Sequence, residues 1–429
     1  MNLITKFIYR SIFIGGIYFA GFTSSYAQSG VGSSTVDNSE VSIATGTTEL
    51  RFSEQTYFGP DAQWEINGTL EIWSKKIWIS PTARFTGAGR IIIHDPGTNP
   101  YYNDMTGGPT QIDGNNGRFI ETTIELRNPS NLILTELTDP GYGTVNATGS
   151  KAAALNIGGL FEFAIDGGDV ILNGFDFGIA PNSYFTNYNP KRMIVTGNSI
   201  AGHVIKYYSS LQPFVFPVGI AEGDYTPATL TPSAAAAFYV SVQNYSASVK
   251  DGLSGGKGMD RIWHIFADKN IAASYTLQHN SNTNGTNYVD ATAQIVQYAG
   301  SANWTAGQTN TSGAGIHTRT GVTTTTDLHN DASWFTKLSS AIAANFFIPN
   351  VITPDGDGKN DSFTIVGTEA FDRIEVEFVN RWGNQVYVNR NYKNNWQGEN
   401  LNEGTYYYTM KLIKGSETTI LKGWVLIKR

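Results

Sequence analysis

Apolar residues along this chain alternate with polar ones far more often than they repeat at helical spacing. Between Thr47 and Ala180 the apolar runs are short: TELRF, QWEINGTLEIW, KIWI, GRIIIH, RFIETTIELRN, NLILTEL, ALNIG, FEFAI and DVILNGFDF. Gly and Asn break them, which predicts many short strands joined by tight corners. The segments Gly68 to Ile72 (GTLEI) and Gly89 to Ile93 (GRIII) lie 21 residues apart, close to one rung of a β-solenoid. A parallel β-helix buries the inward positions of each rung and sets Asn or Gly at its corners, which suits Asn67, Asn128, Asn156 and Asn173. A sandwich of hairpins is the alternative, because later spacings drift and an insertion at residues 96–116 interrupts the pattern.

From Met193 the style changes to longer alternating strands, including MIVTGNSIAGHVIKYYSS, FYVSVQNY, RIWHIFADKN and SYTLQHN. Pro213, Pro217 and Pro227 fall where strands start, turn or form edges. Further alternation in RIEVEFV, YYYTMKL and TTILKGWVLIK predicts a third β unit with one buried face. The chain therefore reads as all-β. A flexible leader at residues 28–46 is small and polar, a β-solenoid-like region spans 47–190, and an antiparallel β-sandwich spans 191–340. A C-terminal immunoglobulin-like β-sandwich of five to seven strands spans 345–429. Trp382, Trp396 and Trp424 are expected in its core, with Arg381 pairing with a carboxylate or stacking on a ring.

The 429 residues are enough for two or three domains with cores of their own. Residues 1–27 read as a secretory signal: Lys6 and Arg10, an apolar run from Ser11 to Phe22, then Ser25, Tyr26 and Ala27 before Gln28. A membrane anchor is the alternative, but the run is shorter than the roughly 20 residues a span requires. Without Lys6 and Arg10, 27 basic residues face 36 acidic ones, which argues against nucleic acid as a partner. The chain has no cysteine, which excludes disulfides, thiol catalysis and Cys-ligated metals.

Two stretches carry resemblances. Residues 193–340, with FPVG, then YTP, then an Arg-x-Trp strand, resemble a β-rich region of large Bacteroidetes surface proteins that carries no known activity. The C-terminal motif is more specific. It comprises FIPNVITPDGDGKNDSF, with Pro354, Asp355, Gly356, Asp357, Gly358, Asn360 and Asp361, followed by Arg381, Trp382 and Gly383. Trp396, Gly398, Gly404, Tyr406, Gly423 and Trp424 complete it. Together they resemble the gliding-motility-associated C-terminal domain, the type B sorting domain of Bacteroidetes type IX secretion cargo. Family members more often have Asn at the place of Asp355 and Asp at the place of Gln397. The resemblance implies passage of the inner membrane by the secretory route, folding in the periplasm, and export through the outer membrane by the type IX translocon. It further implies a secreted or cell-surface location, with an outer-membrane anchoring partner where cargo is retained.

Chemistry is harder to find. Asp355, Asp357 and Asp361 offer hard oxygen ligands that suit Ca²⁺, although Lys359 stands where a further ligand belongs; a solvated Asx turn is the other reading. Otherwise no cofactor is expected. Asp166, Asp169 and Asp176 read as solvated turn residues, or as carboxylates paired across rungs. His94, His203, His264, His279, His317 and His329 show no metal-ligand spacing and read as separate residues. Trp64, Trp73 and Trp78 read as core, with a sugar-stacking row as the alternative. No catalytic residue is expected. The sequence points to a non-enzymatic surface protein for adhesion, surface structure or gliding motility. The alternative is a protein that binds or degrades extracellular polysaccharide on its solenoid.

Overall fold

The computed structural model describes residues 30–101, 104–145, 147–248, 250, 256–301, 303–307, 309–326, 331–339, 347–368, 371–414 and 417–429. The signal read in residues 1–27, the segment 340–346 and His329 lie outside them. Among the described residues regular structure is β-strand with a few 3-10 turns, so the chain is all-β. No described helix is long and apolar enough to cross a membrane.

The N-terminal part is a β-solenoid. One side is an eight-stranded sheet running from Gly30–Asp37 through Ser53–Phe58, Lys76–Ile79, Thr110–Asp113 and on to Val218–Gly219, with neighbouring strands parallel. A second side stacks six strands from Thr48–Arg51 to Phe185–Thr186. The third begins with Glu40–Ile43, Gln63–Ile66 and Arg84–Thr86, and resumes with Leu155–Ile157, Phe177–Ile179 and Val204–Tyr208. The 21-residue spacing is one coil: Thr48 lies opposite Thr69, and Thr69 opposite Arg90. At this corner only glycine fits, since a Cβ on Gly89 would stand 2.0 Å from the Gly68 carbonyl oxygen. Asparagines take the other corners: the Asn128 amide donates to Gly108 O at 3.0 Å, Asn156 to Gly117 O at 2.7 Å and Asn173 to Leu134 O at 3.1 Å.

The leader expected at residues 28–46 differs. From Gly30 onward it forms strands Gly30–Asp37 and Glu40–Ile43 of the first coil. Its small side chains bury little, but the next coil presents a ready row of backbone partners, and parallel pairing does not depend on side-chain size. Arg51 secures the turn through Asp37 and Glu49.

The parallel ladder runs past residue 190, and Val204–Tyr208 then pairs antiparallel with Ala236–Gln243. The same sheet continues through Ile262–Ala267, Trp334–Ser339, Ala293–Tyr298 and Trp304–Ala306. A second antiparallel sheet runs Phe214–Phe216, Ala228–Pro232, Ile271–Gln278, Ile316–Thr324 and Thr309–Gly313. One hydrophobic cluster reaches from Ile43 to Phe335, so solenoid and sandwich share a core. The C-terminal residues have a separate core and one five-stranded sheet, ordered Val351–Ile352, Glu417–Ile427, Gly404–Lys414, Arg373–Val379 and Gln385–Asn389. Loop residues such as Phe363 and Trp396 cover its inner face.

Candidate functional sites

In the C-terminal domain the motif residues divide between core and surface. Trp396 is buried and stacks on Phe378 with centroids 3.8 Å apart. Its carbonyl accepts from Phe363 N at 2.8 Å, and Tyr392 Oη donates to Phe363 O at 2.6 Å. Tyr406 is buried too, its hydroxyl donating to Asn402 O. Gly398 and Gly404 sit before and at the start of the strand that carries Tyr406, and Gly423 lies opposite Tyr408. Trp382 and Trp424 do not join the core: they are 73% and 49% exposed. This corrects the expectation of three buried tryptophans. Trp382 stands in the turn between Arg373–Val379 and Gln385–Asn389, with Arg381 over its ring at 4.8 Å. Trp424 points outward because Val425, its neighbour in the alternating strand, points in. It lies opposite Tyr407, which lies opposite Val379, so an apolar stripe crosses the outer face.

The loop after Pro354 brings Asp355, Asp357 and Asp361 together, with one carboxylate oxygen of each within 4.8 Å of the others. It is held by its own amides: Gly356 N and Gly358 N donate to Asp361 at 2.7 and 2.8 Å, and Lys359 N donates to Asp357 at 2.7 Å. Gly356 and Gly358 both adopt positive φ, and so does Asn360, whose carbonyl accepts from Thr353 N. The Asx turns fold this loop from within, and the same oxygens are the ones a calcium ion would draw on.

In the solenoid, Asp166 is the exposed turn residue expected, paired with Lys191 and Arg192. Asp169 and Asp176 are not solvated but buried, and each joins one coil to the next: Met193 N donates to Asp169 at 2.7 Å and His203 N to Asp176 at 3.0 Å. Burial pushes the Asp169 carboxyl up to about 6. Asp113, which no motif marks, is buried in the same way and is likewise raised to about 6. Trp64, Trp73 and Trp78 are all buried, which removes the sugar-stacking row they offered. Trp73 stacks on His94 at 4.2 Å, and Trp78 lies under Tyr142 at 5.9 Å.

The five described histidines are not separate residues. His203 Nε2 meets His264 Nδ1 at 3.0 Å, His264 Nε2 meets Ser333 Oγ at 2.9 Å, and Asp176 stands 3.8 Å from His203 Nδ1. That order of groups suits a proton relay, but Ser333 is fully buried and its hydroxyl cannot reach a substrate. The row instead ties a solenoid coil to the sandwich. A second cluster holds His279, Asp290 and His317, whose ligand atoms lie within 4.8 Å of one another. The buried Lys337 amine stands among them, donating to Leu277 O and Gly315 O at 2.8 Å and to His279 Nδ1 at 2.9 Å. Burial, then the Lys337 charge, lowers His279 to about 4. Burial also lowers Lys337 well below its ordinary value. Lys206 repeats the device on the solenoid, donating to the carbonyls of Ala180, Pro181 and Ser183 at 2.7, 3.0 and 2.6 Å. Burial pulls it down to about 8. Strand alternation places both lysines on mostly apolar segments, and a lysine at such a position is the signal in the sequence that could have found them.

Residues 346–427 match the family model of the CHU_C type IX secretion signal domain. No curated protein and no solved structure matches the chain. The five-stranded unit at the C-terminal end is thus the type IX secretion signal domain of Bacteroidetes cargo, and the protein is exported across the outer membrane to the cell surface or the extracellular space.

Proposed function

We propose that this cargo works after export as a non-enzymatic surface component in adhesion, surface structure or gliding. The observation that carries the reading is the use made of the buried polar groups of solenoid and sandwich. Asp169, Asp176, Lys206, Lys337 and the histidine pairs are all engaged in bonds that join coils or sheets, which is the chemistry of a scaffold. The sorting domain meets the type IX translocon; it is one five-stranded sheet covered by loop residues, where the sequence predicts an immunoglobulin-like sandwich of two sheets. The exposed rings of Trp424 and Tyr407, with half-buried Val379 beside them, supply apolar surface suited to a protein partner, either the export machinery or an outer-membrane anchor. Deleting residues 345–429 tests the reading: the truncated protein is expected to accumulate in the periplasm, and its recovery outside the cell at normal levels would sink the sorting role. Protease shaving of intact cells then tells surface display from release. Binding of an extracellular polysaccharide by the solenoid is the second reading, favoured by a polar groove on the outer face of the eight-stranded sheet.

A further inference from the structure

A groove of about 270 Å³ lies on the outer face of the eight-stranded parallel sheet. Its floor is a single register row on three successive coils: Gln55 lies opposite Lys76, and Lys76 opposite Gln111. These side chains face outward because their neighbours Thr56, Ile77 and Ile112 are buried. Tyr57 adjoins the row and its hydroxyl donates to Gln55 Oε1 at 2.5 Å, which orients both groups. The wall is the segment 135–138, with Thr135, Glu136 and Leu137 on the groove. Two bonds hold it upright: Thr135 N donates to Ile112 O at 2.9 Å, and Leu137 N donates to the buried Asp113 carboxylate at 2.7 Å. Asp113 also accepts from Asn115 N, so the wall is fastened to the coil beneath it.

The lining selects a ligand class. Two amides, a phenol, an ammonium, a carboxylate and threonine hydroxyls offer both donors and acceptors, with Leu137 as the one aliphatic side chain. Such a surface suits neither lipid nor another apolar ligand. Lys76 and Glu136 cancel in charge, and a polyanion finds one cation here and no more. The row runs along the solenoid axis and offers one polar side chain per coil, at about 4.8 Å intervals. We propose that this groove binds a neutral, hydroxyl-rich polysaccharide laid along the solenoid axis, and that it holds the chain without cutting it. Glycoside hydrolysis requires two carboxyl groups flanking the bond, whereas Glu136 is the one carboxylate on this groove.

The inference rests on the second reading, polysaccharide binding by the solenoid, and names the ligand class. The test uses purified full-length protein, with affinity electrophoresis on laminarin, xylan and mannan as neutral probes and alginate and polygalacturonate as anionic ones. A reducing-sugar assay runs in parallel. Retardation by at least one neutral probe is expected, weakened at least tenfold in the double variant Gln55→Ala/Gln111→Ala, with the melting temperature unchanged and no reducing ends released. Lys76→Gln, on a fully outward side chain, gives a second variant should the double one melt early. Binding to none of the neutral probes, binding indifferent to all three substitutions, or preference for the anionic probes would each overturn the proposal. Release of reducing ends would overturn its non-cleaving part. The result is independent of export, because deletion of residues 345–429 reads out where the protein goes and this assay reads out what it holds.

Discussion

Trp396 and Trp424 are two tryptophans of one motif with opposite fates. Trp396 fills the C-terminal core against Phe378, whereas about half of Trp424 faces solvent. Trp396→Ala is expected to cost about 3 to 5 kcal/mol of that domain's stability. Trp424→Ala should stay within about 1 kcal/mol; urea unfolding of the full chain followed by fluorescence measures both. His279 gives a pH-dependent case. Its folded value, about 4, lies below the 6.5 of an unburied histidine, so the unfolded chain takes up the proton first as pH falls. Its contribution is complete above pH 6.5 and is lost toward pH 4, up to about 3 kcal/mol. Asp113 and Asp169, raised to about 6, act in the opposite sense, because their folded forms are protonated first. The stability difference between the wild type and His279→Gln isolates the histidine: it should shift in favour of the variant as pH falls from 6.5 to 4. A constant difference would contradict the assignment.

At the scale of elements, the coil is the repeating unit and its corners are where it is most exacting. Gly89 meets the Gly68 carbonyl so closely that a methyl group cannot enter without moving backbone. Gly89→Ala is therefore expected to lower stability by about 1 to 3 kcal/mol, read as a lower melting temperature by circular dichroism. The corner asparagines work by hydrogen bonding: Asn128, fully buried, reaches Gly108 O and Thr110 Oγ1. Much of this was legible in the sequence, since the recurrence of Gly before a strand and of Asn between strands reflects local backbone demands. The first coil was not legible. Residues 30–43 are held chiefly by backbone pairing to the following coil, with Val41 and Ile43 the apolar side chains that reach the core, too few to mark a coil among small polar neighbours.

For the whole molecule, the division of the core decides how the chain should unfold. Solenoid and sandwich share one hydrophobic cluster and one continuous sheet, while the secretion domain has its own. Calorimetry of the full chain is expected to show two transitions, and removal of residues 345–429 should abolish one and leave the other in place. A single transition in the full chain would show that the two cores are coupled. An address domain with its own core can direct export without governing the part that works at the surface.

The sequence by itself determined the β character, the 21-residue coil, the glycine and asparagine corners, and the secretion domain with its motif. All of these depend on neighbours close along the chain, or on a pattern with fixed spacing. Only the tertiary structure decided which aromatic rings are core and which are surface, and that His203 meets His264 across 61 positions. It also decided that the Lys337 amine bonds into a histidine cluster, and that Gln55, Lys76 and Gln111 share one row under a wall anchored by Asp113. Such pairings arise from the register between coils and sheets, which is set by loops of unequal length and by burial, and no local pattern in the chain records them.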